Sequence, residues 1–318
     1  MIVVCGEALV DLIPVHRDGG ELFAPRLGGS PYNVAIGLAR QESHTGFLGR
    51  LSRDFFGQLL KDRLLANGID GRYLREGPEL TTVAFVHLSE AREAEYLFYV
   101  ENSVDRNLLP QDLPEAFPAE VAALHFGSIS LVLEPAASTL ETCMKREHGR
   151  RLISLDPNVR ALLIPDREAY QRRLDGWLEF TDLVKVSQAD LSWLYPGEPL
   201  KQVAQRWLER GPKLVVVTRG EEGCIGFSSS ESVEIPSRPI EVVDTVGAGD
   251  AFMSGLLARL DQRRLLAPAS LAALSASDLE DVLAHASLTG MLTCTRAGAD
   301  PPRRAELEQF ADLKTFRG

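Results

Sequence analysis

Unbroken apolar runs recur along the chain at Ile2–Cys5, Phe47–Leu51, Ala122–Phe126, Leu152–Leu155, Leu183–Val186 and Leu214–Val217. Runs without polar alternation mark strands covered on both faces. Between them the apolar period lengthens to three or four, as at Val34, Ile36, Leu38 and Ala39, in Asp54–Asn67 closed by Gly68, and in Glu134–Glu147 and Leu200–Glu209. Those stretches predict amphipathic helices. Buried strands alternating with helices predict an α/β fold, three layers around a mostly parallel central sheet. Two stretches break the rhythm. Val15–Arg26 carries the turn signal Asp18-Gly19-Gly20, and within Tyr73–Val100 the strands Thr81–Leu88 and Glu95–Val100 flank the polar turn Ser89–Ala94. They predict a small β-sheet lid, its segments at 12–27 and 73–103 inserted into one domain spanning 1–318. Toward the C-terminus the β-rich run Ile240–Val243 precedes helical patterns at Ala251–Leu260, Leu265–Leu274 and Leu279–Thr289.

Several strands finish in small or polar residues: Gly127-Ser128, Asp156-Pro157-Asn158, Ser187 and Thr218-Arg219-Gly220. Asp11 is expected beyond the first strand, near the same edge. In a parallel sheet these ends share one rim, where ligands bind. The most informative stretch is Asp244-Thr245-Val246-Gly247-Ala248-Gly249-Asp250, expected to join the run Ile240–Val243 to a helix. A small-residue turn opening a helix aims backbone N–H groups at one point, at the positive end of the dipole, and so forms an anion site. Asp250 adds a carboxylate there, readable either as a helix cap or as a base for phosphoryl transfer. The turn is no Walker A loop, since the chain has no Gly-Lys pair, and no dinucleotide fingerprint, since Phe252 stands where a third glycine would be. A second turn, Gly28-Gly29-Ser30-Pro31-Tyr32-Asn33, also opens a helix, with Ser30 before a first-turn proline as the expected N-cap.

Composition narrows the setting. A net charge of −11 argues against a nucleic-acid surface or a polybasic membrane anchor. The cysteines, Cys5, Cys143, Cys224 and Cys294, are far apart, so neither a disulfide framework nor a zinc site is expected, and a reducing cytoplasm is the simplest location. No signal peptide or transmembrane run is read.

With these pieces placed, the chain resembles the ribokinase-type (PfkB) carbohydrate kinases over essentially its full length, on its two glycine signatures about 200 residues apart. The resemblance implies ATP and Mg2+ as cofactors, Asp250 as general base, and the amides of Gly247, Ala248 and Gly249 as the hole for the migrating phosphoryl group. It implies that Asp11, Gly28, Gly29 and Asn33 hold sugar hydroxyls, and that Thr218, Gly220 and Gly223 form a Thr-x-Gly-x-x-Gly loop on the nucleotide side. Lys185 and Ser187 match a strand end that reaches toward the phosphates. Many members carry Asn-x-x-Glu there, associated with a magnesium–phosphate water network. This chain has Ser187-Gln188-Ala189-Asp190, and Asp190 could keep the charge on a shorter arm or simply start a helix. Asp244 and the loop at Arg296-Ala297-Gly298 match regions that bind a monovalent cation, usually potassium. His285 stands where Asn is frequent beside the adenine pocket.

Gly6-Glu7-Ala8-Leu9-Val10-Asp11, His125-Phe126-Gly127-Ser128-Ile129-Ser130 and Asp156-Pro157-Asn158-Val159-Arg160 resemble the fructokinase branch. Arg160 could bind sugar hydroxyls or product phosphate. The Asp156-x-Asn158-x-Arg160 pattern also occurs in 2-keto-3-deoxygluconate kinases, where the arginine would meet a substrate carboxylate. Glu101 and Asp105, expected where the lid returns, suit a neutral polyol, and Phe98 or Tyr96 could cover the sugar. A non-catalytic sugar- or nucleotide-binding regulator is the reading from another class, and a homodimer through the lid is expected.

Overall fold

The computed structural model describes residues 1–17, 20–88 and 94–315, with side chains outside the description at 16–17, 20–21, 86–88, 94–96 and 311–315. The expected turn at Asp18-Gly19-Gly20, most of that at Ser89–Ala94, and the side chain of Tyr96 therefore lie outside the described residues. In chain order the elements are β1 (Ile2–Cys5), β2 (Leu9–Arg17), β3 (Gly20–Gly28), α1 (Ser30–Arg40), β4 (Thr45–Ser52), α2 (Phe55–Ala66), β5 (Leu74–Gly77), β6 (Val83–Leu88), β7 (Ala94–Tyr99), β8 (Ala123–Gly127), α3 (Ala136–Glu147) and β9 (Leu152–Asp156). They continue with α4 (Arg167–Leu178), β10 (Leu183–Ser187), α5 (Gln188–Leu194), α6 (Leu200–Arg210), β11 (Leu214–Thr218), β12 (Cys224–Phe227), β13 (Ser232–Ile235), α7 (Ala248–Gln262), α8 (Pro268–Ala272), α9 (Ala276–Cys294) and α10 (Arg304–Thr315).

The apolar runs form the interior of a nine-stranded sheet, ordered β13-β12-β11-β10-β9-β8-β1-β4-β5. It is parallel except at one edge, where β12 pairs antiparallel with β11 and β13 antiparallel with β12. Alternate residues of one strand feed opposite cores. Ile2 and Val4, with Leu214 and Val216, pack toward α1, α7 and α9. Val3 and Cys5, with Val215 and Val217, pack toward α3, α4 and α6. This two-sided burial is why those strands read as unbroken apolar runs, and it yields the expected three layers.

A second, four-stranded sheet has the order β3-β2-β6-β7. Its register pairs Leu12 with Phe85 and Phe85 with Leu97, placing these three on one face. Asp11, Ala84 and Phe98 share the other. Asp11 thus belongs to a strand of the small sheet rather than to the rim of the first strand. The interval expected for the lid at 73–103 is also narrower, because β5 pairs in parallel with β4 at the edge of the large sheet.

Three further corrections concern the C-terminal half. Ile240–Val243 is no strand, and Val242 and Val243 are 52% and 61% exposed, so its apolar content reflects no burial. The helix expected at Leu265–Leu274 shrinks to α8, where Pro268 fixes the first turn. The one expected at Leu279–Thr289 lengthens in both directions to α9, started by a reciprocal cap between Ser275 and Asp278.

Candidate active site

α7 begins at the turn singled out in the sequence. Gly247 is its N-cap in the left-handed region (φ 76°), and a β-carbon there would come 2.5 Å from Ala299 Cβ. The Ala248 N–H donates to Thr245 O (3.2 Å), so this amide is engaged inside the turn rather than free for a ligand. Among the described residues the N–H groups of Gly247, Gly249 and Asp250 have no such partner. They form the open part of the cradle. The turn is reached from an exposed loop, not from a strand as expected, so its position depends on contacts with the segment near Ala299.

Asp250 is 9% exposed and is held from α1. Ser30 Oγ donates to Oδ1 (2.7 Å) and Asn33 Nδ2 donates to Oδ2 (2.8 Å). The N-cap of α1 is Gly29 at φ 103°, and Ser30, expected to cap the helix, instead turns its hydroxyl to Asp250. Burial pushes the Asp250 carboxyl up to about 6, against those two hydrogen bonds and the Lys185 charge.

Two cavities meet beside this carboxylate, which lines the smaller one. The smaller, about 260 Å³, is lined by Glu7, Asp11, Gly29, Asn33, Phe98, Asn158, Arg160 and Asp250. The larger, about 1160 Å³, is lined by Thr218, Gly220, Gly223, Ala248 and apolar residues of α7 and α9. Thr245 and Gly249 line both.

In the small cavity, burial pushes Asp11 up to about 6 against the attraction of Arg160, with repulsion from Asp250 adding to the rise. Gly28 lies behind it: a β-carbon at 28 would fall 2.5 Å from Asp11 Oδ2, so this glycine provides space rather than conformational freedom. Arg160 Nη1 donates to Asn158 Oδ1 (2.8 Å). Phe98 turns inward while Leu97 and Tyr99 are 61% and 59% exposed. Glu101 does not join the cavity. Past β7 the chain turns at Asn102 (φ 55°), leaving the Glu101 side chain 86% exposed beside Arg106 (3.3 Å). Asp105 is buried, but it accepts from Thr82 Oγ1 (2.5 Å) and fastens the two chain segments that enter the small sheet.

In the large cavity, Gly220 and Gly223 adopt φ 57° and 93° in the tight loop after β11. His285 lines the large cavity, with Nε2 bonded to Gln41 Oε1 (2.7 Å), and burial pushes it down to about 4. Lys185, Ser187 and Asp190 line neither cavity. Lys185 pairs with Asp156 (2.9 Å) in the interior, its Nζ directly beneath Gly249, where a β-carbon would come within 3.0 Å. Ser187 caps α5 through Asp190 N (2.9 Å), and Asp190 Oδ1 accepts from Val159 N (3.2 Å). Asp190 thus starts a helix and ties it to the segment bearing Arg160. Asp244 accepts from Val246 N (3.0 Å) at Oδ1 and from Gly298 N (2.7 Å) at Oδ2, joining the anion turn to the 296–299 loop. Among the described residues no group of three His, Cys, Asp or Glu could hold a metal ion.

The profile described as pfkB family carbohydrate kinase matches residues 1–305. The chain belongs to the pfkB family of carbohydrate kinases. It is 39% identical to a fructokinase of Rhizobium leguminosarum bv. trifolii over 282 residues, covering 88% of this chain and 86% of that one. A fructokinase from Xylella fastidiosa solved with bound ATP superposes with a TM-score of 0.91 at 26% identity, covering 99% of this chain and 98% of that one. A fructokinase from Vibrio cholerae O395, in a form with fructose, ADP and calcium ion bound, gives 0.84 at 28%, covering 97% and 98%.

Two residues of this pfkB kinase's site escaped sequence reasoning. Ser30 looked like a helix cap because the Ser-Pro pair is common at helix starts. Glu7 lies at the exit of β1, lines the small cavity and is 1% exposed. Its amide donates to Ser130 Oγ (2.8 Å), and the Ser130 hydroxyl donates back to its carboxylate. Burial pushes Glu7 up to about 7, against hydrogen bonds from Ser130 and Ser128. An acidic residue directly after a buried strand was the available signal.

Proposed function

We propose that this chain is an ATP-dependent fructokinase, which transfers the γ-phosphoryl group of ATP to a hydroxyl of fructose. The observation that carries this reading is the meeting of two cavities at Thr245 and Gly249, with Asp250 on the sugar side of the junction. The large cavity takes the nucleotide, against Thr218, Gly220 and Gly223. The small one takes the sugar, against Asp11, Gly29, Asn33 and Arg160, with Gly28 making room for the Asp11 carboxylate. Asp250 accepts the hydroxyl proton as that oxygen bonds to phosphorus, and its two tethers keep the carboxylate aimed while it does so. The open amides of Gly247 and Gly249 receive the migrating group, with Lys185 as a fixed cation beneath them.

Mg2+ would spread phosphate charge when bound, and since no group of three His, Cys, Asp or Glu among the described residues could hold it, the nucleotide's own oxygens would supply most of its ligands. Asp190, whose carboxylate accepts from the Val159 and Ser187 amides, would act on it only through water. A monovalent cation near Asp244 would draw on backbone carbonyls of the two loops that Asp244 joins. Among the described residues no helix is long and apolar enough to cross a membrane, and a cytoplasmic location and homodimer assembly through the lid complete the proposal.

ADP release with ATP and magnesium, measured on fructose, glucose, ribose, 2-keto-3-deoxygluconate and a nucleoside, with and without potassium, tests the reading. Fructose should support the fastest turnover. Arg160 in the small cavity favours the keto-acid as the second reading, and turnover on the keto-acid alone would replace fructose by it. No turnover on any sugar, with binding retained, would favour the non-catalytic regulator.

A further inference from the structure

The small cavity has an unusual charge census. Among the described residues its lining carries three carboxylates, Glu7, Asp11 and Asp250, against one cation, Arg160. Glu7 is tied to Ser130 and Asp250 to Ser30 and Asn33, whereas Asp11 lines the same cavity as Arg160 and feels the attraction of its charge. Arg160 is itself anchored, its Nη1 donating to Asn158 Oδ1 (2.8 Å) and lying 3.2 Å from Val159 O. Asp190 also sits near Arg160, but outside the cavity lining and bonded to the Val159 amide. Among the described lining residues, Asp11 is the carboxylate on which the Arg160 charge acts.

We infer that Asp11 sets the charge class of the substrate: by balancing Arg160 within the wall, it keeps the cavity for neutral sugars and denies Arg160 to a substrate carboxylate. The inference rests on the reading of the small cavity as the sugar site. Its physical basis is additive Coulomb interaction at short range in a partly desolvated space. An acid sugar entering the wild-type cavity meets two repelling carboxylates, Asp11 and Asp250, against the one attracting guanidinium of Arg160. Without the charge on Asp11 the balance moves toward the acid sugar. A neutral polyol loses a hydrogen-bond acceptor instead.

Calorimetric binding of D-gluconate and D-fructose to the full chain tests this without turnover, in wild type, Asp11→Asn, Arg160→Gln and the double variant, each first checked for an intact thermal transition. Asn keeps the shape of Asp and removes its charge; Asp11→Ser serves as a second charge-free variant. The expected result is gluconate affinity raised about tenfold or more in Asp11→Asn, fructose affinity lowered, and the gluconate gain abolished in the double variant. Arg160→Gln alone should leave the weak wild-type gluconate binding within about threefold. Gluconate binding no tighter in either charge-free variant, or a gain that survives loss of Arg160, would overturn the inference. Failure of the wild type to phosphorylate fructose would strike the proposed function instead, because the gluconate comparison is made against wild type and needs no phosphorylation.

Discussion

In the proposed mechanism Asp250 concentrates the chemistry in one side chain, whose surroundings perform two tasks. Burial raises its proton affinity, which makes it a better acceptor than an exposed aspartate, while Asn33 and Ser30 hold both oxygens. Asp250→Ala should therefore lower kcat by about 10²–10⁴-fold with sugar binding retained. An unchanged rate would remove Asp250 from the mechanism. Because the group must be ionised to accept a proton and its value lies near 6, kcat/KM for the neutral sugar should rise through about pH 6 and level off above it. A profile flat from pH 5 to 8 would count against this. At this scale the sequence was legible where a residue's backbone conformation follows from its neighbours in the chain, as for the tight turns at Gly247, Gly220 and Gly223. It was not legible for Ser30, whose partner lies 220 positions away, or for Glu101, whose outward turn depends on Asn102. Nor did the sequence signal that the Ala248 amide, expected in the cradle, closes the turn onto Thr245.

Among the elements, the apolar runs were legible because burial on both faces leaves no other pattern. Ile240–Val243 shows the converse: β-branched residues without pairing partners remain a loop. Likewise the register that puts β5 in the large sheet is set by β4 and leaves no mark in its own four residues. One helix start bears directly on the lid. Asp54 caps α2 through Gly57 N (2.7 Å) and also accepts from Thr81 N and Thr81 Oγ1 (both 2.8 Å), so the residue that starts α2 anchors the entry to β6. Partial burial pushes its proton affinity up, but the bonds from Gly57 and Thr81 outweigh it, and the net shift is downward. A depressed folded value means that the stabilisation is present above the ordinary value of 3.8 and lost as pH falls through the folded one. Asp54→Ala should cost about 1–2 kcal/mol at pH 7 in urea unfolding, with the difference from wild type shrinking in acid. Equal differences at pH 7 and pH 2.5 would refute the ionised-cap account.

For the whole molecule, the small sheet presents two chemically distinct faces. Its inner face bears Asp11 and Phe98. Its outer face carries a ladder of rings, Phe23 against Phe85 (5.3 Å) and Phe85 against Tyr99 (5.4 Å), with Leu97 beside them. Contiguous exposed apolar surface of this kind favours self-association, and a second copy presenting the same face satisfies a two-fold axis. Sedimentation at micromolar concentration should give twice the chain mass for wild type and the single mass for a Phe23→Ser, Tyr99→Ser double variant. A monomeric wild type would end the proposal of a lid-mediated dimer.

The wall shared by the two cavities has a consequence for ligand design. Since Thr245 and Gly249 border both spaces, a single molecule joining an adenosine polyphosphate to a sugar could occupy both, its linker crossing above Gly249. Tethering would turn the second association into an intramolecular event at an effective concentration set by the linker. With a linker matched to that crossing, the affinity of such a bisubstrate compound should exceed that of either half by orders of magnitude.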